Sequence, residues 1–139
     1  MIKERHYRIG EVYWMRFDGV GSEQKGLRPG VVFQNNLGNS FSPNIIALPM
    51  TSNLRKASQI THVKIKAEDS GLPKDSLVLC ENPERMSKDR IGSFITTLSE
   101  KDIGKIAAAN LVATSAISFI DEAALIGVWK IAMQLNDFR

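Results

Sequence analysis

One cysteine, Cys80, is all that 139 residues contain. An internal disulfide is thereby excluded, and the chain must be held by its apolar core, for which this length suffices. Cys80 follows Leu77, Val78 and Leu79; it reads as a buried strand thiol, not a nucleophile, and suits a reducing, cytoplasmic setting. Histidine is scarce as well, with only His6 and His62 available for proton transfer near neutral pH. His6 lies near the chain end and His62 on the outer face of an expected strand, where surface packing competes with any direct role. No cluster of His, Cys and carboxylates has ligand spacing, so neither a metal nor another cofactor is expected. No apolar run is long enough to cross a bilayer, so no membrane partner is expected. Residues 1–6 carry charge without an apolar stretch behind them and do not read as a secretory signal. With no internal repeat and no low-complexity linker, residues 1–139 read as one domain.

A further absence is local. Between Gln24 and Ala67 there is no aspartate or glutamate, while Lys25, Arg28, Arg55, Lys56, Lys64 and Lys66 all fall there. Carboxylates return at Glu68, Asp69, Asp75, Glu81, Glu84 and Asp89, so a net charge of only +3 conceals segregated basic residues. Segregated positive charge is the footprint of a polyanion partner, because neutralised phosphates release counterions whatever the base sequence. A basic face that is merely solvated is the competing reading.

What the chain does contain is mostly strand signal. Glu11–Phe17 is rich in aromatic and β-favouring residues, with Tyr13, Met15 and Phe17 alternating toward one face and Val12, Trp14 and Arg16 toward the other. An indole beside a guanidinium can stack on a base, which makes Trp14 a binding candidate, with core or dimer packing as the equal alternative. Residues 21–30 read as a glycine-rich loop in which Pro29 stiffens Arg28, and residues 30–34 as the next strand. Asn35 to Ser40 reads as a turn. Asn44 to Met50 reads as a buried strand broken by Pro49 and delivering Thr51, Ser52 and Asn53 at its exit. Further strands are expected over 61–66, with Val63 and Ile65 inward, over 76–81, and over 90–98 with an interruption at Gly92 and Ser93. The period then changes. Ser99 with Asp102 three positions later has capping-box spacing, and Ile103, Ile106, Ala107 and Leu111 give the helix behind it one apolar stripe. Asp121 begins a second helix through Leu135, apolar nearly all round, which wants a partner. Short strands followed by a helix argue a mainly β, α+β architecture: a small barrel or sheet with a helix laid against it.

With these pieces in place, the chain resembles the MazF/PemK family of toxins from bacterial toxin–antitoxin systems over about residues 8–118. The resemblance is carried by Gly10-Glu11-Val12-Tyr13-Trp14, by Gly21-Ser22-Glu23-Gln24 leading to Arg28-Pro29, and by Val32-Phe33-Gln34-Asn35. Further on it is carried by Gly38-Asn39-Ser40-Phe41-Ser42-Pro43, Met50-Thr51-Ser52, Thr61-His62-Val63 and Gly71-Leu72-Pro73-Lys74-Asp75-Ser76. It implies an SH3-like β-barrel with a C-terminal helix, a homodimer, and a metal-independent endoribonuclease that cuts single-stranded RNA, mRNA included. It also implies a cognate antitoxin, with operator DNA reached only through the antitoxin complex. By position Arg28 and Thr51 match the family's catalytic pair, and Phe17, Gln34, Asn36 and Ser52 fall near RNA-contacting positions. Gln24, Lys25, Arg55 and Lys56 join them as RNA-binding candidates from the acid-free interval. Glu81, beside Glu84, reads as a solvated carboxylate or an RNA-edge contact. After Glu81 many relatives continue into an Arg-Thr pair, whereas this chain runs Asn82-Pro83-Glu84-Arg85, which leaves the target sequence open. Residues 119–139 extend past the usual end of the family, and 124–135 are expected to pack on a dimer or modify antitoxin docking.

The 2′-hydroxyl of RNA is an internal nucleophile, so an enzyme that positions it in line needs no activated water. Arg28 then supplies donors to the phosphate oxygens and Thr51 a further hydrogen bond. Two readings from other classes stand beside this one: a non-catalytic gyrase poison on the same barrel, like the CcdB proteins, and an RNA-binding module without cleavage.

Overall fold

The computed structural model describes residues 6–19 and 26–137. Seven strands form one antiparallel sheet: Glu11–Phe17 (β1), Gly26–Val32 (β2), Asn44–Thr51 (β3), His62–Ile65 (β4), Ser76–Leu79 (β5), Glu84–Ser87 (β6) and Ile91–Thr97 (β7). The order is β4-β5-β3-β2-β1-β7, with β6 paired to the first half of β3. Four helices accompany it: Asn36–Phe41 (α1), Ala67–Ser70 (α2), Glu100–Thr114 (α3) and Glu122–Asn136 (α4). The mainly β, α+β expectation holds.

The period-two pattern of the central strands divides the core into two clusters. Val12, Val31, Leu48 and Met50 pack with Val63, Ile65, Val78 and Cys80, and on this side Ile106 and Ala109 of α3 close the layer. Tyr13, Met15 and Phe17 pack with Val32, Ile45, Ala47 and Met86 on the other. Adjacent residues such as Val12 and Tyr13 thus serve opposite faces, as strand geometry requires.

Several sequence expectations change here. β2 begins at Gly26, so Arg28 and Pro29 lie in a strand and not in a loop; β1 supplies the ladder, pairing Met15 with Arg28 and Trp14 with Pro29. Proline is tolerated because β3 joins the other edge of β2 only from Gly30 onward. Pro49 does not break β3 either. It sits where β3 passes from pairing with β6 (Asn44 to Ala47) to pairing with β5 (Met50 and Thr51). The expected turn at Asn35 contains a helix: Asn35 Oδ1 accepts from Gly38 N at 2.8 Å, capping α1. Strand β6 and helix α2 had no counterpart in the sequence reading. On α3, Ser99 caps through Asp102 N at 3.1 Å as expected, but the buried stripe is Ile106 with Ala109, and Leu111 is exposed.

Candidate active site

Arg28 and Thr51 come to one cavity from the two strands that part there. Gly30 pairs with Pro49 where the β2–β3 ladder ends; two residues beyond it on each strand stand Arg28 and Thr51, the latter already paired with Leu77 of β5. Both line one cavity of about 320 Å³, together with Trp14, Ser52, Lys74 and Ser76. Arg28 is half-buried, and its Nε is out of solvent contact. Gly30 makes the strand's position possible, since a Cβ there would meet Met15 Sδ at 2.6 Å and Phe17 Cζ at 3.0 Å. Thr51 Oγ1 accepts from Asn53 N at 3.1 Å and Asn53 Oδ1 from Arg55 N at 3.2 Å, so consecutive side chains shape the loop leaving β3.

Thr51 also lines a second cavity of about 500 Å³, with Arg55, Lys56, His62, Glu81 and Asn82. Glu81 and Asn82 in turn line a third, of about 420 Å³, with Arg85 and Arg90. Shared residues make the three cavities neighbours: Arg28 stands with Lys74 at the first and Arg55 with Lys56 at the second, while at the third Asp18, Glu81 and Glu84 accompany Arg85 and Arg90. Arg90 is ion-paired with Asp18.

His62 is not a surface side chain. It is only 6% exposed, with Nδ1 2.9 Å from Lys56 O and Nε2 2.6 Å from Glu81 Oε2. A carbonyl only accepts, so Nδ1 donates to Lys56 O while Nε2 faces the Glu81 carboxyl group. Thr61 Oγ1 adds a bond to Glu81 Oε2 at 3.0 Å. Cys80, beside this pair but inside the core, is fully buried; burial first, then the charge of Glu81, pushes its thiol from 9.0 up to about 12, which keeps it protonated and inert.

Of the other sequence candidates, Trp14, Ser52, Arg55, Lys56 and Glu81 line the first two cavities. Phe17 is 1% exposed in the core. Asn36 is buried, accepting from Ile9 N at 2.9 Å and donating to Asn136 O at 3.0 Å. Gln34 bonds Asn39 Oδ1 and Asn44 O, each at 3.3 Å. Those three lie away from the cavities. Gln24 and Lys25 fall outside the described residues. Sequence reasoning missed Lys74, Ser76, Arg85 and Arg90 as lining residues, because they stand in the acid-bearing second half where charge segregation gives no signal. Among the described residues, no group of three or more His, Cys, Asp or Glu side chains is placed to hold a metal ion.

Fold and cavity together define a small antiparallel-β protein with a helix-backed sheet and an open cavity in which Arg28 and Lys74 stand beside Thr51, Ser52 and Ser76. The family model described as PemK-like, MazF-like toxin of type II toxin–antitoxin system matches residues 8–111, and the chain belongs to that family. It is 38% identical over 111 residues to endoribonuclease EndoA of Bacillus subtilis (strain 168), covering 79% of this chain and 96% of that protein. It is 42% identical over 94 residues to an endoribonuclease MazF of Staphylococcus epidermidis, covering 67% and 78%. Among solved structures, MazF (Form-I) from Deinococcus radiodurans matches with a TM-score of 0.71 at 18% identity, over 81% of this chain and 99% of that one. A mycobacterial endoribonuclease in complex with its cognate antitoxin matches with a TM-score of 0.65 at 23% identity, over 79% and 96%. At such identities the structural likeness speaks to the fold alone. No helix among the described residues is long and apolar enough to cross a membrane.

Proposed function

We propose that this chain is the toxin of a type II toxin–antitoxin pair and cuts single-stranded RNA at the cavity shared by Arg28 and Thr51. The observation that carries the reading is that shared cavity: a guanidinium and a hydroxyl, twenty-three positions apart in sequence, line it together. Family membership and relatives named as endoribonucleases support it. In the reaction the 2′-oxygen attacks the adjacent phosphorus in line and its proton passes to solvent. The bond from phosphorus to the 5′-oxygen breaks, and that oxygen takes up a proton, leaving a 2′,3′-cyclic phosphate and a 5′-hydroxyl. Arg28 donates to the phosphate oxygens as their charge grows, and Thr51 adds one hydrogen bond. No step calls on a metal. Trp14, Ser52, Arg55, Lys56 and Glu81 contact the flanking nucleotides, with Lys74 added from the structure.

A cognate antitoxin, a homodimeric assembly and a cytoplasmic location belong to the same reading, as does a single domain over 1–139. Structures of relatives bound to a cognate antitoxin support the first of these. The test is purified protein with a long single-stranded RNA in EDTA, beside Arg28→Ala and Thr51→Ala. Discrete fragments from the parent chain, with 5′ ends that a polynucleotide kinase labels without prior dephosphorylation, are expected. Intact RNA that stays bound would replace the enzyme with a binding module, and trapping of gyrase would select the poison.

A further inference from the structure

The family match stops at residue 111 and α4 begins at Glu122, so this helix is an addition to the shared core. Its C-terminal end is tied to the body: Asn136 O accepts from Asn36 Nδ2 at 3.0 Å, and Asn136 Oδ1 from Asn36 N at 3.3 Å. Elsewhere no α4 residue is buried, although its only formal charges are Glu122 and Lys130. An apolar helix left in water is a surface made for covering.

We propose that α4 pairs antiparallel with α4 of a second copy of this chain, about a two-fold axis at Ile126. At 100° per residue, Glu122, Ile126, Trp129, Lys130 and Met133 share one stripe about 100° wide, with half-buried Leu135 on the opposite side. The spacing of four, three and four through residues 122, 126, 129 and 133 is the seam of two-helix packing. Ile126, Trp129 and Met133 are 51%, 62% and 47% exposed, and Phe119 just before the helix is 90% exposed.

Charge sets the register. A two-fold at Ile126 puts each Glu122 opposite Lys130 of the other copy, forming both possible ion pairs at once. The same register sets Trp129 against the small Ala123, so that the seam can close there, and brings Met133 toward Phe119, apolar against apolar. Phe119, Ile126, Trp129 and Met133 leave on the order of 600 Å² in water per copy, close to the roughly 800 Å² each partner contributes to a standard interface. A partner charged with one sign would be repelled by either Glu122 or Lys130 on this stripe; a second copy supplies the complement of both.

The experiment uses the full chain carrying Ile126→Cys, with Ala132→Cys, about 110° round the helix from the centre of the stripe, as control; native Cys80 is buried and does not compete. Under mild oxidation Ile126→Cys is expected to form a disulfide-linked dimer on a non-reducing gel, and Ala132→Cys is not. Adding Glu122→Lys, which sets lysine against lysine, should slow cross-linking about tenfold at low salt. Adding Lys130→Glu to that variant should restore the rate. Absence of the 126–126 disulfide in a chain with unchanged circular dichroism, equal yield from position 132, or indifference to charge reversal would overturn the pairing. Any of these would leave the stripe to a partner of another sequence.

Discussion

At the scale of single residues, the cavity asks Arg28 for more than charge. A guanidinium offers a planar fork of donors that can meet two phosphate oxygens together, whereas an ammonium in the same place is a point charge. Arg28→Lys is therefore expected to keep RNA affinity within a few-fold while cleavage falls about 10²- to 10³-fold, the usual cost of one donor to a developing oxyanion. Single-turnover rates beside filter binding separate the two. Thr51→Ser should retain most of the rate and Thr51→Val should lose it, because only the hydroxyl is asked for. Cys80 gives a prediction of another kind. Its thiol ionises near 9.0 when unfolded and is pushed to about 12 when folded, so above pH 9 the unfolded state holds fewer protons than the native state. The folded-state pKa is the raised one, so this contribution is whole below pH 9 and is lost as pH climbs toward 12, at up to about 1.4 kcal/mol per pH unit. Denaturant melts across that window should show a shallower alkaline decline for Cys80→Ala than for the parent chain, whatever packing the substitution costs. Parallel slopes would mean that the thiol is not shielded.

At the scale of elements, two junctions hold the site's frame. Gly10 has φ of +88°, and a Cβ there would stand 2.3 Å from Ile103 Cδ1, so the entry to β1 and the first turn of α3 can approach only with glycine between them. Gly10→Ala should cost about 1–3 kcal/mol by denaturant melting, backbone strain adding to the displaced isoleucine. The second junction is the His62–Glu81 pair, which ties β4, the loop before it through Lys56 O, and the end of β5. His62→Ala should lower stability by a similar amount, about 1–3 kcal/mol, because it removes the ring's bonds to Lys56 O and Glu81 and leaves that carboxyl group only Thr61 Oγ1. Limited proteolysis should then cut faster within 52–60. These junctions also mark what could be read from the chain and what could not. β1, β3, β4, β5 and α3 were legible because period and caps are local. The glycines and proline around Arg28 signal a loop, and the ladder that overrides them comes from β1. Helix α1 was hidden for a related reason: Asn, Gly and Ser signal a turn, and the buried Asn36 and Asn39 become affordable only through partners such as Ile9 and Asn136. The Arg28–Thr51 convergence was legible as residue types and a family pattern. The parting of β2 and β3 at which the two stand was not.

At the scale of the whole molecule, three neighbouring cavities gather cations that a small net charge conceals. Arg28 and Lys74 stand at the first, Arg55 and Lys56 at the second, and Arg85 and Arg90 at the third, where Asp18, Glu81 and Glu84 stand beside them and the acidic residues of α3 do not. A single strand laid across them displaces counterions at each neutralised phosphate, so affinity should depend on salt through the number of cations engaged, with net charge playing little part. Each contact contributes about −0.7 to the slope of log K against log salt for single strands, and four or five engaged cations put the slope near about −3. The measurement calls for 2′-O-methylated RNA, which removes the internal nucleophile and keeps the ligand intact. Lys56→Ala should flatten the slope by about 0.7. Lys105→Ala, on α3 and outside all three cavities, should leave it unchanged. If the two lysines act alike, binding is diffuse and the neighbouring cavities are not the RNA's path; if Lys56 alone moves the slope, the strand runs past Thr51 into the second cavity, and the geometry of the cut follows from that direction.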